Sequence, residues 1–531
     1  VADIRRSAPS LSPTARVALF CALGGALVLG WLAFGVVPGS GPEQFGSRIY
    51  DEAWLALRAG EVDLPARLLR YEGHYAPDGT AYLYHGAGPL LLRALLAPLV
   101  DLTRVSLAPA SLWAWTALGC AFYHAAFHGA AARAGWLTPR SALVLGLGAW
   151  LAGPALLLVA NHALYQEPIA MAYWLAAAAV WLWHRHFGLG RGAGWACLLG
   201  LALLAGLCLQ ARPNVAAALY AATGLAALRM LWRQRLRALL PAALALAVLA
   251  GGVAGYMGYN DLRFGSGAVT HGSFEPSALQ YGAIYWGHED LAGNRARTFI
   301  DHGRFDPARI LPNGVQYLLG VPQALMPAAS WRAQAVFYGL THDKLGYIRI
   351  EWPDTGMLFM WLGWVALALG GMRRGRPARQ RDGGANPGRE TRASGGPGLE
   401  RSGGLNAGPD NWGLGMLALA FGLSVLLTLS YATITLRYHV DLWPLLAVAV
   451  LGGLRVCPGR GVVLAGALGL SVLVVTAREY SDNFRAADEG FTAPWDRAFC
   501  EEMVQRRQIP ATQGPEGAAR LGRICRDPRT G

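Results

Sequence analysis

The chain of 531 residues carries 54% hydrophobic and only 15% charged side chains, with a mean hydropathy of +0.30, against the roughly 25% charge of a soluble globular protein. An array of soluble domains is excluded, because the apolar residues recur in blocks of the roughly 20-residue length that crosses a hydrocarbon core. The net charge of +13 does not point to nucleic acid, since the Arg residues lie mostly between apolar blocks, where they read as topology signals.

In chain order, residues 1–16 hold Arg5, Arg6 and Arg16 ahead of a first apolar block at 17–37, which places that end in the cytoplasm and makes the block an anchor. Residues 38–108 then form a first outer loop. Near its start lies the run Ser47-Arg48-Ile49-Tyr50-Asp51-Glu52-Ala53-Trp54. Asp51 and Glu52 have two readings, partners of a helix N-terminus or chemistry close to a bilayer surface. The apolar piece 89–100 is short and holds Arg93 and Pro98, so it is expected to be a surface-lying or re-entrant helix.

Spans are expected at 110–131, 141–160 and 164–183, with Arg133, Arg140, Arg185 and Arg191 on the cytoplasmic side. The apolar run 194–228 is too long for one crossing, and Arg212-Pro213 falls near its middle. Proline breaks a helix and Arg is costly in lipid, so two short spans with an outer turn are expected there. A span at 238–259 leads into a second large outer loop at 260–353. Beyond it come a span at 357–372 and a Gly-, Arg- and Pro-rich cytoplasmic loop at 373–412, expected to be disordered. Spans at 413–431, 442–456 and 461–477 follow, and an outer tail at 478–531. The fold expected is an all-α polytopic membrane protein, one domain over 17–477, with about eleven transmembrane helices.

Cys21, Cys120, Cys197, Cys208 and Cys457 fall in spans or at a cytoplasmic edge, where no disulfide is expected. Cys500 and Cys525 share the outer tail and are expected to pair. Arg437 and Asp441 are four residues apart, the spacing of an ion pair on one helical face. Glu167 beside Pro168 has the composition of a helix first turn. No His, Cys and Asp spacing specifies a metal site.

Several stretches in this order resemble the GT-C superfamily of membrane glycosyltransferases, which use polyprenyl-phosphate-linked sugars and include protein mannosyltransferases and aminoarabinose transferases. They are Tyr50-Asp51-Glu52, Asp78-Gly79 through Tyr82-Leu83-Tyr84-His85-Gly86-Ala87-Gly88-Pro89, Tyr165-Gln166-Glu167-Pro168, Arg212-Pro213-Asn214, Tyr259-Asn260-Asp261-Leu262-Arg263-Phe264, and Arg437-Tyr438 with Asp441 and Pro444. The resemblance covers residues 17 to about 456; the 373–412 insertion and the tail depart from the family's pattern. It implies an inverting sugar transfer to a glycan, lipid or protein hydroxyl at the outer face of the inner (plasma) membrane, without nucleic acid as a partner.

By the same resemblance Asp51 is the general base, with Glu52 its partner or a ligand to a divalent metal. Arg212, Arg263 and Arg437, at the expected outer ends of spans, are candidates to bind the donor phosphate, and each has the alternative of reaching to lipid headgroups. Tyr84, His85, Glu167 and Tyr438 would line the substrate. A transporter or flippase, and a noncatalytic partner of an envelope-synthesis complex, are the competing classes; the first calls for charges near the bilayer midplane.

Overall fold

The computed structural model describes residues 11–35, 46–69, 72–188, 194–275, 277–285, 294–374 and 411–491. The chain is mostly helical. The long helix α1 (Pro13–Ala33) is followed by the short α2 (Ile49–Arg58), α3 (Ala66–Leu69) and α4 (Leu90–Leu96). Next come α5 (Ala108–Arg133), α6 (Pro139–Leu151), α7 (Ala155–Val159), α8 (Gln166–Trp183), α9 (Trp195–Leu209), α10 (Pro213–Gln234) and α11 (Leu239–Phe264). The second expected loop is itself largely helical, with α12 (Gly282–Tyr285), α13 (Asn294–His302), α14 (Ile310–Leu319) and α15 (Pro327–Leu345). The chain then forms α16 (Met357–Met360), α17 (Leu362–Arg374), α18 (Asn411–Leu429), α19 (Leu436–Gly453) and α20 (Arg460–Phe491).

Local chemistry sets several of these boundaries. Ser12 caps α1 by accepting from the Ala15 amide, with Pro13 at the first helical position, where its missing N–H costs nothing. Thr138 and Ser141 form a reciprocal capping box at the start of α6, again with a leading proline. Pro154 separates α6 from α7, and Pro213 separates α9 from α10 at the place the sequence marks. Gly265, at φ +68°, closes α11 in the left-handed conformation.

Helix α8 forms the centre. It is buried on all faces and packs on α5, α9 and α19, which its run of Ala residues permits by letting helix axes approach closely. Four stretches, Pro13–Ala33, Pro139–Val159, Pro213–Phe264 and Arg460–Phe484, are long and apolar enough to cross a membrane; Trp195–Leu209 and Gly413–Leu429 are shorter apolar helices. At 15 residues, α9 reaches only about 22 Å.

At one end of the bundle the two long connections meet. Strand β1 (His74–Tyr75) pairs antiparallel with β2 (Ala81–Tyr82) on one side and with β3 (Gln280–Tyr281) on the other. Hydrogen bonds thus join residues 38–108 to residues 260–353. A parallel pair of β4 (Arg349–Ile350) and β5 (Thr433–Ile434) ties the end of the second connection to the start of α19.

Some expectations need correction. Helix α19 begins at Leu436, so Arg437 and Asp441 sit in its first turns and not in a preceding loop. Helix α20 continues to Phe491, past the expected end at 477. Cys21, Cys120, Cys197, Cys208 and Cys457 are free thiols. Cys500, Cys525 and most of the 373–412 loop lie outside the described residues.

Candidate functional site

Asp51, in the first turn of α2, is fully buried. Its Oδ1 accepts from Arg93 Nε at 2.9 Å and from the Leu107 amide at 3.3 Å, and its Oδ2 from the Ser106 hydroxyl at 2.6 Å. Arg93 is likewise buried, projecting inward from α4, and its two terminal nitrogens grip Glu167 as a fork, with Nη2 to Oε1 at 2.9 Å and Nη1 to Oε2. One guanidinium therefore serves two carboxylates from two elements, the bidentate geometry that suits Arg. Glu52 faces away from this group; its side chain is 34% exposed and lies 3.8 Å from Arg48.

The remaining residues singled out in the sequence meet beside this group. Arg263, buried at the end of α11, donates to the carbonyls of Leu83 and His85, the latter at 2.7 Å, and to Asn260 Oδ1 at 2.6 Å. It holds the segment carrying Tyr84 and His85 in place. The Tyr84 and His85 rings lie 3.9 Å apart, and His85 lies 5.9 Å from the Tyr165 ring. Arg437 stands 4.2 Å from the Tyr165 ring centre, and Arg212 and Arg437 flank Tyr438 at 4.9 and 5.4 Å.

The ion pairs differ from the local one expected. Arg437 does not pair with Asp441. It forks onto Glu351, with Nη1 to Oε2 at 2.6 Å and Nη2 to Oε1 at 3.1 Å. Asp441 instead binds Arg212 from the α9–α10 break, with Nη2 to Oδ2 at 2.7 Å, and Asn214 at 2.9 Å. An i,i+4 pair is worth only about 0.2–0.5 kcal/mol, and buried bidentate partners from other elements win over it.

Burial would raise the Glu351 carboxyl, but Arg437 and Arg349 beside it hold it below the usual carboxylate range. Burial pushes His85 well below its ordinary value, and Arg212, Arg437 and Arg263 add to the effect. His74 and His271 are lowered by burial too, His271 to about 3. Three neutral imidazoles thus stand among guanidiniums at neutral pH. His85 Nε2 and both ring nitrogens of His74 are buried and find no hydrogen-bond partner among the described residues. Arg304, whose Nη2 donates to the Gly272 carbonyl, makes no ion pair among the described residues.

Arg93, Glu351, Asn214, Tyr165 and Ser106 were given no role from the sequence. Arg93 carried a signal of its own, a charge inside a short apolar helix, while Tyr165 and Asn214 stood only within the stretches that carry the resemblance. Among the described residues no group of three His, Cys, Asp or Glu side chains is set to hold a metal ion. No family model, curated protein or solved structure matches the chain.

Proposed function

We propose that this protein transfers a sugar from a polyprenyl-phosphate-linked donor to a hydroxyl of a glycan, lipid or protein acceptor, at the extracytoplasmic face of the inner (plasma) membrane. In this reading about eleven helices cross the bilayer. The two long connections joined by β1 and β3 lie outside, and the Arg-rich turns around 133–140, 185–191 and 229–237 lie inside. The observation that carries the reading is the convergence of Arg212, Arg263 and Arg437 at helix ends beside Tyr84, His85, Tyr165 and Tyr438. Such a group sets one cation for a departing phosphate, Arg437, beside rings on which a sugar can stack, with Arg212 and Arg263 holding the surrounding segments.

The roles differ among these cations. Arg263 is committed to backbone carbonyls and positions the Tyr84–His85 segment. A donor phosphate would take the place of Glu351 on Arg437, whereas on Arg304 it would displace no carboxylate among the described residues. Asp51 is shut from solvent with both oxygens engaged, so for it to act as base the Arg93 and Ser106 contacts must open when acceptor binds. A flippase calls for charges near mid-span, and the ion pairs described here gather at helix ends and in the connections, which favours transfer chemistry.

The test is transfer of label from radiolabelled polyprenyl-phosphate sugars to acceptor in membranes holding the full chain, with donor binding measured separately. Label should move, and Asp51→Asn should lower the rate by about 10²- to 10⁴-fold. No transfer by the unaltered protein from any of a panel of such donors would overturn the reading.

A further inference from the structure

Next to Tyr438 lies a cavity of about 170 Å³. Its polar lining is Arg212, Asn214, Thr428 and Asp441, and its aromatic lining is Phe305, Tyr431 and Tyr438. The polar groups come from α10, the break before it, α18 and α19, and the rings from the connections and the first turn of α19, so the cavity forms where four segments meet.

Three features define what it takes. The first is charge: Arg212 and Asp441 neutralise each other across 2.7 Å, so an anion entering here would meet a carboxylate as well as a guanidinium. The second is unspent hydrogen-bonding capacity. Asp441 Oδ2 accepts from Arg212 Nη2, from Arg212 Nε at 3.2 Å and from Asn214, while among the described residues Oδ1 accepts only from Arg212 Nε, at 3.3 Å. A carboxylate oxygen has room for two donors. Arg212 Nη1 has no acceptor among the described residues. One acceptor and one donor thus remain on adjacent groups, the complement of two neighbouring hydroxyls.

The third feature is shape. Phe305 and Tyr431 have ring centres 5.6 Å apart, and Tyr431 and Tyr438 lie 6.0 Å apart, forming an aromatic wall against the polar floor. Pockets that enclose drug-sized ligands measure roughly 300–1,000 Å³. A volume of about 170 Å³ is of the size of a single ring.

We propose that this cavity is a binding subsite for one neutral pyranose ring, with Asp441 accepting from one hydroxyl, Arg212 donating to its neighbour, and the ring's apolar edge against Tyr431 and Tyr438. The choice of a sugar over another polyol rests on the transfer reading; the preference for a neutral hydroxylated ring does not.

The experiment uses the full chain in lipid nanodiscs and saturation-transfer difference NMR, with glucose, mannose, galactose and arabinose as probes at millimolar concentration. At least one should receive saturation, and Asp441→Asn and Tyr438→Ala should each reduce it at least tenfold. Tyr438→Ala leaves the Arg212–Asp441 pair intact, so it decides the matter if Asp441→Asn does not fold. Saturation of none of the four sugars, equal saturation in both variants, or displacement of the sugar by inorganic phosphate would overturn the subsite. Sugar binding that depends on Asp441 and Tyr438 in a protein that transfers no label overturns the transfer reading and leaves the subsite standing. Transfer without such binding does the reverse.

Discussion

Arg93 donates through Nη2 to Oε1 of Glu167 at 2.9 Å, and neither side chain meets solvent to any extent. With Asp51 on its Nε, this guanidinium joins α2 and the seven-residue α4 to the first turn of α8, the long helix at the centre of the bundle. Removing one partner of a buried pair leaves an uncompensated charge and costs about 3–5 kcal/mol. Arg93→Ala strands two carboxylates at once. It should lower the melting temperature of the purified protein by several degrees, and Glu167→Gln by less, because Arg93 keeps Asp51. A melt of Arg93→Ala superimposable on that of the unaltered chain would show that the group contributes nothing to the fold.

Asp51→Asn separates two roles of one carboxylate. If Asp51 serves only to hold Arg93, the substitution lowers stability and leaves the turnover of the surviving folded protein intact. If it also takes a proton, turnover of folded protein falls by about 10²-fold or more. The second outcome is expected, with donor binding retained. Normalising transfer to the folded fraction, measured by size-exclusion chromatography, distinguishes the two.

The sequence marked the ends of elements better than it marked partners. The break at Pro213 and the charged first turn of α8 follow from local chemistry, and both were legible; the Thr138 capping box puts the start of α6 at Pro139, two residues ahead of the span expected from 141. The Arg93 contacts were not, because they reach 42 residues back to Asp51 and 74 forward to Glu167, and no local pattern encodes a pairing over that distance. Arg437 and Asp441 show the opposite failure: a correct local spacing that tertiary partners override. The helices of the 260–353 connection did not stand out as elements because their mixed polar and aromatic composition offers no continuous apolar block. Helix α15 mixes Arg332, Gln334, His342, Asp343 and Lys344 with apolar residues, which suits a surface helix and not a crossing.

Glu351 and Arg437 offer a test with opposite signs. Arg437→Ala removes a guanidinium beside Tyr165 and should weaken donor binding at least tenfold. Glu351→Gln keeps the size of the side chain, releases the guanidinium from its fork, and should tighten binding of a polyprenyl-phosphate sugar. A radiolabelled donor in a filter-binding assay reads both. Loss of binding in the two variants alike would mean that the pair acts as a structural tie.

Asp354, in the connection just before α16, is buried, and that burial raises its carboxyl to about 7 even though Gln316 donates to it. The native state therefore keeps a proton that the unfolded chain releases near the ordinary value of 3.8. Between about pH 4 and pH 7 the native state binds more protons than the unfolded one, so this group's contribution to stability falls as pH rises through that window. Asp354→Asn cannot ionise. Its melting temperature relative to the unaltered chain should climb steadily from pH 4.5 to pH 7.5, and a difference that stays constant with pH would refute the assignment.

Gly86 ties the Tyr84–His85 segment to the α9–α10 break through the closest backbone approach in the candidate site. A Cβ built on Gly86 would stand 2.1 Å from the carbonyl oxygen of Gln210, which itself accepts from the Gly88 amide at 2.8 Å. Backbone on both sides leaves no flexible side chain to yield, so Gly86→Ala must push the segment away from the break. Arg212 lies two residues past Gln210, and His85 immediately precedes Gly86. The displacement would therefore fall on the contact between the aromatic segment and the cation of the proposed sugar subsite, while the Arg93 group, anchored separately on α2, α4 and α8, stays closed. Gly86→Ala should accordingly reduce both the saturation transfer to sugar and the rate of label transfer by more than tenfold, at a smaller cost in melting temperature than Arg93→Ala. Retention of sugar binding in Gly86→Ala would show that the segment relaxes without disturbing Arg212, and that this close approach serves packing alone.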